Sequence, residues 1–430
     1  MPIETVISIV RFSLLQVEYR PLVIMRRVEE LRLVDTYWAK CIDQCPLFWT
    51  HITSQACSTR YTQWLEKSQN APLHVECRSD EKFMELLLPH AARWQSLVFY
   101  SSSHGAWSSL TKPAPQLQEL DLHCLPILNQ LPELFQGTTP RLNAVRLHGT
   151  LAPWHCNIFR DLRELVIDGS LESYLHLPMQ LEGLLQALKS SPLLEMLVIK
   201  GSVDPRNDPS RTREPVTLQS LRSFTFHSPS QDLNRSFAAY SLLAAIRIPN
   251  CTFVSIKCDS PTPSLSEFPH DFWPTIVEVL RLTEAVDMIL SPTRLSVSTR
   301  PGVSPHLNVE FTSTSFAERM LIDLIKEAES SQPLPTEVYL TVESRDALPP
   351  ILEFLAKRTE SDTERLPRLQ ELYLKLHMVP VEIVAKLILD HEELHSVLWS
   401  RSLTIGEGWS WPEDIQQRVL DAPSQQRWLR

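Results

Sequence analysis

The sequence predicts an α/β fold in which a small all-helical module precedes an irregular solenoid of alternating strands and helices. Three observations predict it. An unusual octet, P-x-L-x-x-[LV]-x-[LI], recurs at 115–122 (PQLQELDL), 140–147 (PRLNAVRL), 192–199 (PLLEMLVI) and 367–374 (PRLQELYL). Between such copies run legs of helical period, as in Leu181, Leu184, Leu185 and Leu188 at i, i+3, i+4 and i+7. Residues 1–52 have a different texture, helical in spacing and without the octet.

Within 1–52, Ile3, Val6, Ile7 and Val10 follow a helical spacing that starts just after Pro2. Val28, Leu31, Val34, Trp38 and Ile42 recur at intervals of three and four and predict one long amphipathic helix. It stops at Cys45-Pro46, because the residue before a proline resists the helical region. Trp49 follows on a turn and is placed to fold back on that helix. Residues 53–92 read as a linker and the N-terminal cap of the solenoid.

From 93 to 400, dropping the proline leaves L-x-x-L-x-L frames that begin at 94, 117, 142, 162, 194, 221, 251, 277, 304, 335, 369 and 394. The mean interval is about 27 residues, the spacing of leucine-rich repeats. The last two apolar positions of each frame alternate as a strand requires, one set pointing into a core and the residues between pointing out. Further helical legs lie at 316–328 and 381–390. Strand and helix repeated side by side make an irregular leucine-rich-repeat solenoid, a curved parallel sheet with helices on the outer side, of about twelve units. The ninth position is Leu125, Thr150, Ser170, Ser202, Pro229 and Asp259 in six of them, so no asparagine ladder bridges the turns. Residues 201–216 (GSVDPRNDPSRTREPV) read as an inserted polar loop, and 401–430, with Trp409 and Trp411, as a C-terminal cap.

Composition narrows the function classes. A net charge of −10 with 21% charged residues disfavours nucleic acid or an anionic membrane as the main partner. Only 9 of 430 residues are glycine, against 33 prolines, and no G-x-G-x-x-G, G-x-x-x-x-G-K or G-x-S-x-G occurs, which disfavours the phosphate-cradling and nucleophile-elbow enzymes. The eight cysteines are scattered, no apolar h-region leads the chain, and no apolar run approaches the roughly 18–20 residues of a membrane span. These point to a reducing interior, cytoplasmic or nuclear. One formal zinc-protease motif, His391-Glu392-Glu393-Leu394-His395, is present. Its second histidine falls in the frame Leu394/Val397/Trp399, and in a strand i and i+4 lie about 13 Å apart, too far for two nitrogens each about 2 Å from one ion. Cys41 and Cys45, one helical turn apart, have no partner pair at zinc-finger spacing. No catalytic residue, cofactor or metal is expected, and a zinc metallopeptidase is retained only as an alternative resting on that motif.

The N-terminal residues resemble a known family, the divergent F-box that precedes leucine-rich repeats in many fungal proteins. Its opening L-P-x-E with apolar helical residues is matched by Met1-Pro2-Ile3-Glu4 and Val6, Ile7, Ile9 and Val10. Its closing V-C-[KR]-x-W-[RA] and later apolar-Trp pair are matched by Val34-Asp35-Thr36-Tyr37-Trp38-Ala39 and Phe48-Trp49. The stretches 64–77 (WLEKSQNAPLHVEC) and 87–99 (LLPHAARWQSLVF) look like the link into the first repeat. The resemblance implies a non-enzymatic receptor of a cullin-RING ubiquitin ligase, holding a Skp-type adaptor through Pro2, Ile3, Val6, Ile7, Val10, Val34 and Trp38 while the repeats capture a protein substrate. The outward strand positions that would line the capture surface are Glu119, Asp121, His123, Arg146, His148, Glu164, Asp168, Lys200, Thr225, His227, Glu371, Tyr373 and Lys375. A reading of another class is a plain leucine-rich scaffold whose N-terminal helices only cap the solenoid.

Overall fold

The fold of this computed structural model is α/β, with strands paired mostly in parallel. The structure describes residues 1–16, 21–101, 110–124, 134–149, 154, 157–169, 179–201, 203–204, 215–228, 242–259, 285–291, 294–299, 306–312, 337–342, 371–376 and 403–405. The chain divides into two compact units, Met1–Leu197 and Val198–Arg430.

The first unit opens with three helices, α1 (Ile3–Leu15), α2 (Pro21–Arg32) and α3 (Thr36–Asp43). The single long helix expected across 28–42 is thus two. The break has a local cause in Asp35, whose extended backbone (φ −163°, ψ 174°) leaves the helix and whose carboxylate accepts the Trp38 N–H at 2.8 Å. That bond satisfies one of the orphan donors of a new helix, so an Asp that looks like an ordinary polar-face residue acts as a start signal. Asp35→Ala should cost about 1 kcal/mol, read as a fall in the urea midpoint with an unchanged denaturant slope.

The helices close on one apolar cluster of Val6, Val10, Met25, Val28, Leu31, Cys41, Ile42, Phe48 and Trp49, which continues into Ala56 and Trp64. Trp49 does fold back: its indole N–H donates to the Ile42 carbonyl at 3.0 Å, and its ring meets Trp64 edge-on at 4.8 Å. Trp64 belongs to α4 (Ser58–Lys67). Lys67 Nζ stands 4.0 Å from the centre of the Trp49 ring. Lys67 and Arg32 both donate to the Asp43 carboxylate, each at 2.9 Å. Burial acts to raise the Asp43 pKa, but the bonds from Lys67 and Arg32 outweigh it and hold the carboxyl below its usual range.

The sheet of this unit starts earlier than the repeat frames. Two strands, β1 (His51–Thr53) and β2 (Leu73–Arg78), precede β3 (Trp94–Ser101), β4 (Glu119–Cys124), β5 (Ala144–His148) and β6 (Glu164–Asp168). Each pairs in parallel with the next in chain order. The register aligns Ile52, Val75, Leu97, Leu120, Val145 and Leu165 in one row, and Cys77, Phe99, Leu122, Leu147 and Ile167 in another. Both rows are buried, and each such aliphatic or aromatic side chain contributes roughly 1.5–3 kcal/mol. Just ahead of the strands, backbone bonds do what an asparagine ladder would. Gln118 N–H donates to Gln95 O, Asn143 to Gln118 O, Arg163 to Asn143 O and Glu195 to Arg163 O, at 2.7–2.9 Å. The helix α5 (Glu81–Leu87) lies between β2 and β3, and α6 (Leu181–Lys189) buries Leu181, Leu184, Leu185 and Leu188, the face read from its spacing.

The strand β7 (Met196–Lys200) carries the chain from the first unit to the second. In the second unit β8 (Ser223–Ser228), β9 (Phe253–Asp259), β12 (His306–Thr312), β13 (Glu337–Val342), β14 (Glu371–Leu376) and β15 (Leu403–Ile405) are strands. The first five of these fall on the frames at 221, 251, 304, 335 and 369. A hairpin not foreseen in the sequence interrupts them. Its strands β10 (Ala285–Ser291) and β11 (Arg294–Thr299) pair antiparallel, β11 also pairs antiparallel with β12, and β10 pairs in parallel with β13. The local order is therefore β8-β9-β12-β11-β10-β13-β14-β15, whereas a run of identical parallel units would follow chain order. The cue was present in the alternation of LSVST after SPT, but alternation is the same for a strand that returns antiparallel as for one that runs parallel. The frames at 277 and 394, the legs 316–328 and 381–390, and most of 201–216 and 401–430 lie outside the described residues.

Candidate functional site

Two surfaces collect the candidate residues. On the helices, the residues inferred from the resemblance divide by burial. Val6 and Val10 are fully buried in the module's own core, and Ile3, Ile7 and Trp38 are half-buried against it. Pro2 and Val34 are exposed, Val34 because the break at Asp35 leaves it on a connection.

What the helices present to solvent is a different apolar set. Among the described residues the exposed large apolar side chains are Met1, Ile9, Phe12, Leu15, Val23, Leu33, Val34, Tyr37 and Leu47, with only Leu193, Met196, Phe253 and Ile289 beyond residue 47. Phe12 keeps 65% of its area in solvent, Leu15 81% and Leu33 85%. In α1, positions 9, 12 and 15 form a stripe apart from the buried Val6 and Val10, so this helix is apolar on two faces and covered on one. At its start, the Tyr37 hydroxyl donates to the Met1 carbonyl at 2.8 Å, tying the α1 end to α3. The second stripe leaves no clear mark in the sequence, because apolar residues on two faces of one helix blur the amphipathic period.

The other surface is the polar face of the first unit's sheet. Residues between the buried rows align as Thr53, Glu76, Val98, Asp121, Arg146 and Val166, and as Arg78, Tyr100, His123, His148 and Asp168. The second row is a continuous stack on β2 to β5. The Arg78 guanidinium lies 4.9 Å from the Tyr100 ring centre, Tyr100 stacks on His123 at 4.2 Å, and His123 on His148 at 4.3 Å and 6°. Arg146 binds Glu164 through two nitrogens, at 2.6 and 2.9 Å. Burial acts to lower the Arg146 pKa, but Glu164, with Asp121 and Glu119 nearby, outweighs it and holds the guanidinium above its ordinary value. At the β1 end of this face His51 stacks on His74 at 4.6 Å, and burial pushes both pKa values down, that of His51 to about 3.

Of the expected capture residues, the structure therefore brings together Asp121, His123 and His148, and separately Arg146 with Glu164. Glu119 is exposed, and Asp168 faces His148 in register. In the second unit His227 aligns with Lys257, and Lys257 with Glu310, which pairs with Arg294 at 3.0 Å. Lys200 ends β7, Thr225 lies in β8, and Glu371, Tyr373 and Lys375 occupy alternate positions of β14. His391 and His395 lie outside the described residues. Cys41, Cys45, Cys57, Cys77 and Cys251 are free thiols, and burial pushes Cys77 and Cys251 up to about 11. Among the described residues no helix is long and apolar enough to cross a membrane. No family model, curated protein or solved structure matches the chain.

Proposed function

We propose that the chain is the substrate-recognition subunit of a Skp-cullin-F-box type ubiquitin ligase, a leucine-rich-repeat receptor that seats its N-terminal helices on the adaptor, captures a protein substrate on its sheet and does no chemistry itself. The observation that carries the reading is that, among the described residues, exposed large apolar side chains crowd into residues 1–47. Apolar area of that kind, held on helices beside a filled core, is stabilised by a protein partner. The contact set shifts accordingly. Val6 and Val10 serve the module's own core, and Ile9, Phe12, Leu15, Leu33, Val34 and Tyr37 face the adaptor, with Pro2 beside them.

One observation favours the plain scaffold as a second reading. The helical core runs without a break into Ala56 and Trp64, and α2 packs against β1, the first edge strand of the sheet, as a cap would. The two readings part on binding. A tagged intact chain co-expressed with a Skp-type adaptor should retain it through washing, and Phe12→Asp with Val34→Asp should release it; retention by neither protein would leave the scaffold.

A further inference from the structure

We propose that Asp121, His123 and His148 form a binding site for a divalent transition ion of the zinc class on the polar face of the first unit's sheet. The site goes beyond the adaptor reading and stands or falls independently of it. One ligand atom from each of the three residues can be drawn from a set lying within 4.8 Å of one another. Asp121 and His123 sit at i and i+2 of β4, which places both on one face. His148 is the direct register partner of His123 on β5.

The distances are compatible with three groups sharing one ion. The Asp121 carboxylate oxygen lies 2.9 Å from His123 Nε2 and 3.5 Å from His148 Nε2. Ligands about 2.0–2.1 Å from a tetrahedral zinc stand about 3.3 Å apart, between those two values. That oxygen atom is enclosed and makes no hydrogen bond of good geometry, facing only the two imidazole nitrogens. A divalent ion would satisfy it and use the imidazole lone pairs together. Two imidazoles and one carboxylate are a zinc-type donor set, and three protein ligands leave one position open to solvent.

The surroundings are consistent with such a site. Arg146, the register partner of Asp121 on β5, donates to both Glu164 oxygens. Tyr100 stacks on the other face of His123. Because the two imidazoles lie nearly parallel, binding turns each about its χ2 until the lone pairs converge. The spacing escapes a motif search, since the third ligand comes from the next strand and only the parallel register brings it close.

The test uses the full-length chain freed of any histidine tag, stripped with chelator and titrated with zinc chloride in competition with a chromogenic chelator, then with cobalt(II) as a spectroscopic probe. One equivalent of zinc should bind, with visible cobalt bands of a tetrahedral nitrogen-oxygen set. Asp121→Asn and His148→Gln should each weaken binding by about 100-fold or more, beyond the 10- to 100-fold of an outer-shell change. Circular dichroism and thermal unfolding in chelator should show both variants folded as the parent is; if one is not, the other is read. Any of three results would overturn the site: no bound equivalent in the parent, a thiolate-to-cobalt charge-transfer band, or zinc lost on His391→Gln with His395→Gln and kept on Asp121→Asn.

Discussion

Trp49→Ala should destabilise the first unit by about 3–5 kcal/mol, read as a lowered urea midpoint at neutral pH. Three contributions converge on this side chain. Its ring is 2% exposed, so truncation leaves a cavity among Phe48, Ile42 and Trp64. The edge-on contact with Trp64 at 4.8 Å is worth about 0.5–1.5 kcal/mol beyond burial. The indole N–H bonded to Ile42 O at 3.0 Å joins the turn after α3 to the helix itself, a bond worth about 1 kcal/mol, although that carbonyl keeps the Cys45 N–H at 3.1 Å. Trp49→Phe, which keeps an aromatic ring but not the N–H, should lose less than half as much. An alanine effect below about 1 kcal/mol would mean that the tryptophan is not the centre of this core.

Acid should destabilise the first unit well above the pH at which carboxylates titrate, because of His51. The residue as a whole keeps some exposure, but its Nε2 is enclosed, and burial first, then the neighbouring His74, push its pKa from 6.5 to about 3. Above pH 6.5 neither the folded nor the unfolded chain takes the proton, and the full stability is present. As pH falls below 6.5 the unfolded chain takes a proton that the folded chain refuses, so stability drops at up to about 1.4 kcal/mol per pH unit until about pH 3. Between pH 6.5 and 4.5 the loss from His51 alone is about 2–3 kcal/mol. His74, shifted down by burial, adds to it in the same direction. Urea unfolding at pH 7, 6, 5 and 4.5 measures the slope. His51→Phe should flatten it markedly, and an equal slope in the variant would assign the acid lability to other groups.

The physics that the sequence could carry is the physics of short range. The frames that place Leu120 and Leu122, or Phe224 and Phe226, on one face of a strand need only alternation, and those residues are buried. The inward face of α6 was legible for the same reason. Asp35 was not, because a carboxylate on the polar side of a helical period and a carboxylate that begins a new helix look alike until the backbone is known. The β10 and β11 hairpin was hidden by the template itself. Pairing between Leu295 and Phe311 depends on which strand comes next in space, not in sequence. The polar face shows the same limit. Asp121, His123 and His148 were each legible as outward strand residues, but their meeting depends on the register that sets His123 beside His148. The exposed stripe of α1 was overlooked because a helix with two apolar faces has no clean period to find.

The adaptor claim is tested most directly with purified proteins, by titrating a Skp-type adaptor into the intact chain in a calorimeter and sizing the mixture by light scattering. A one-to-one complex is expected, whose heat disappears with Phe12→Asp and Val34→Asp, while the variant's stability from urea unfolding at neutral pH stays within about 0.5 kcal/mol of the parent's, as exposed positions allow. Two species that elute separately and exchange no heat, or a variant that binds as tightly as the parent, would contradict it.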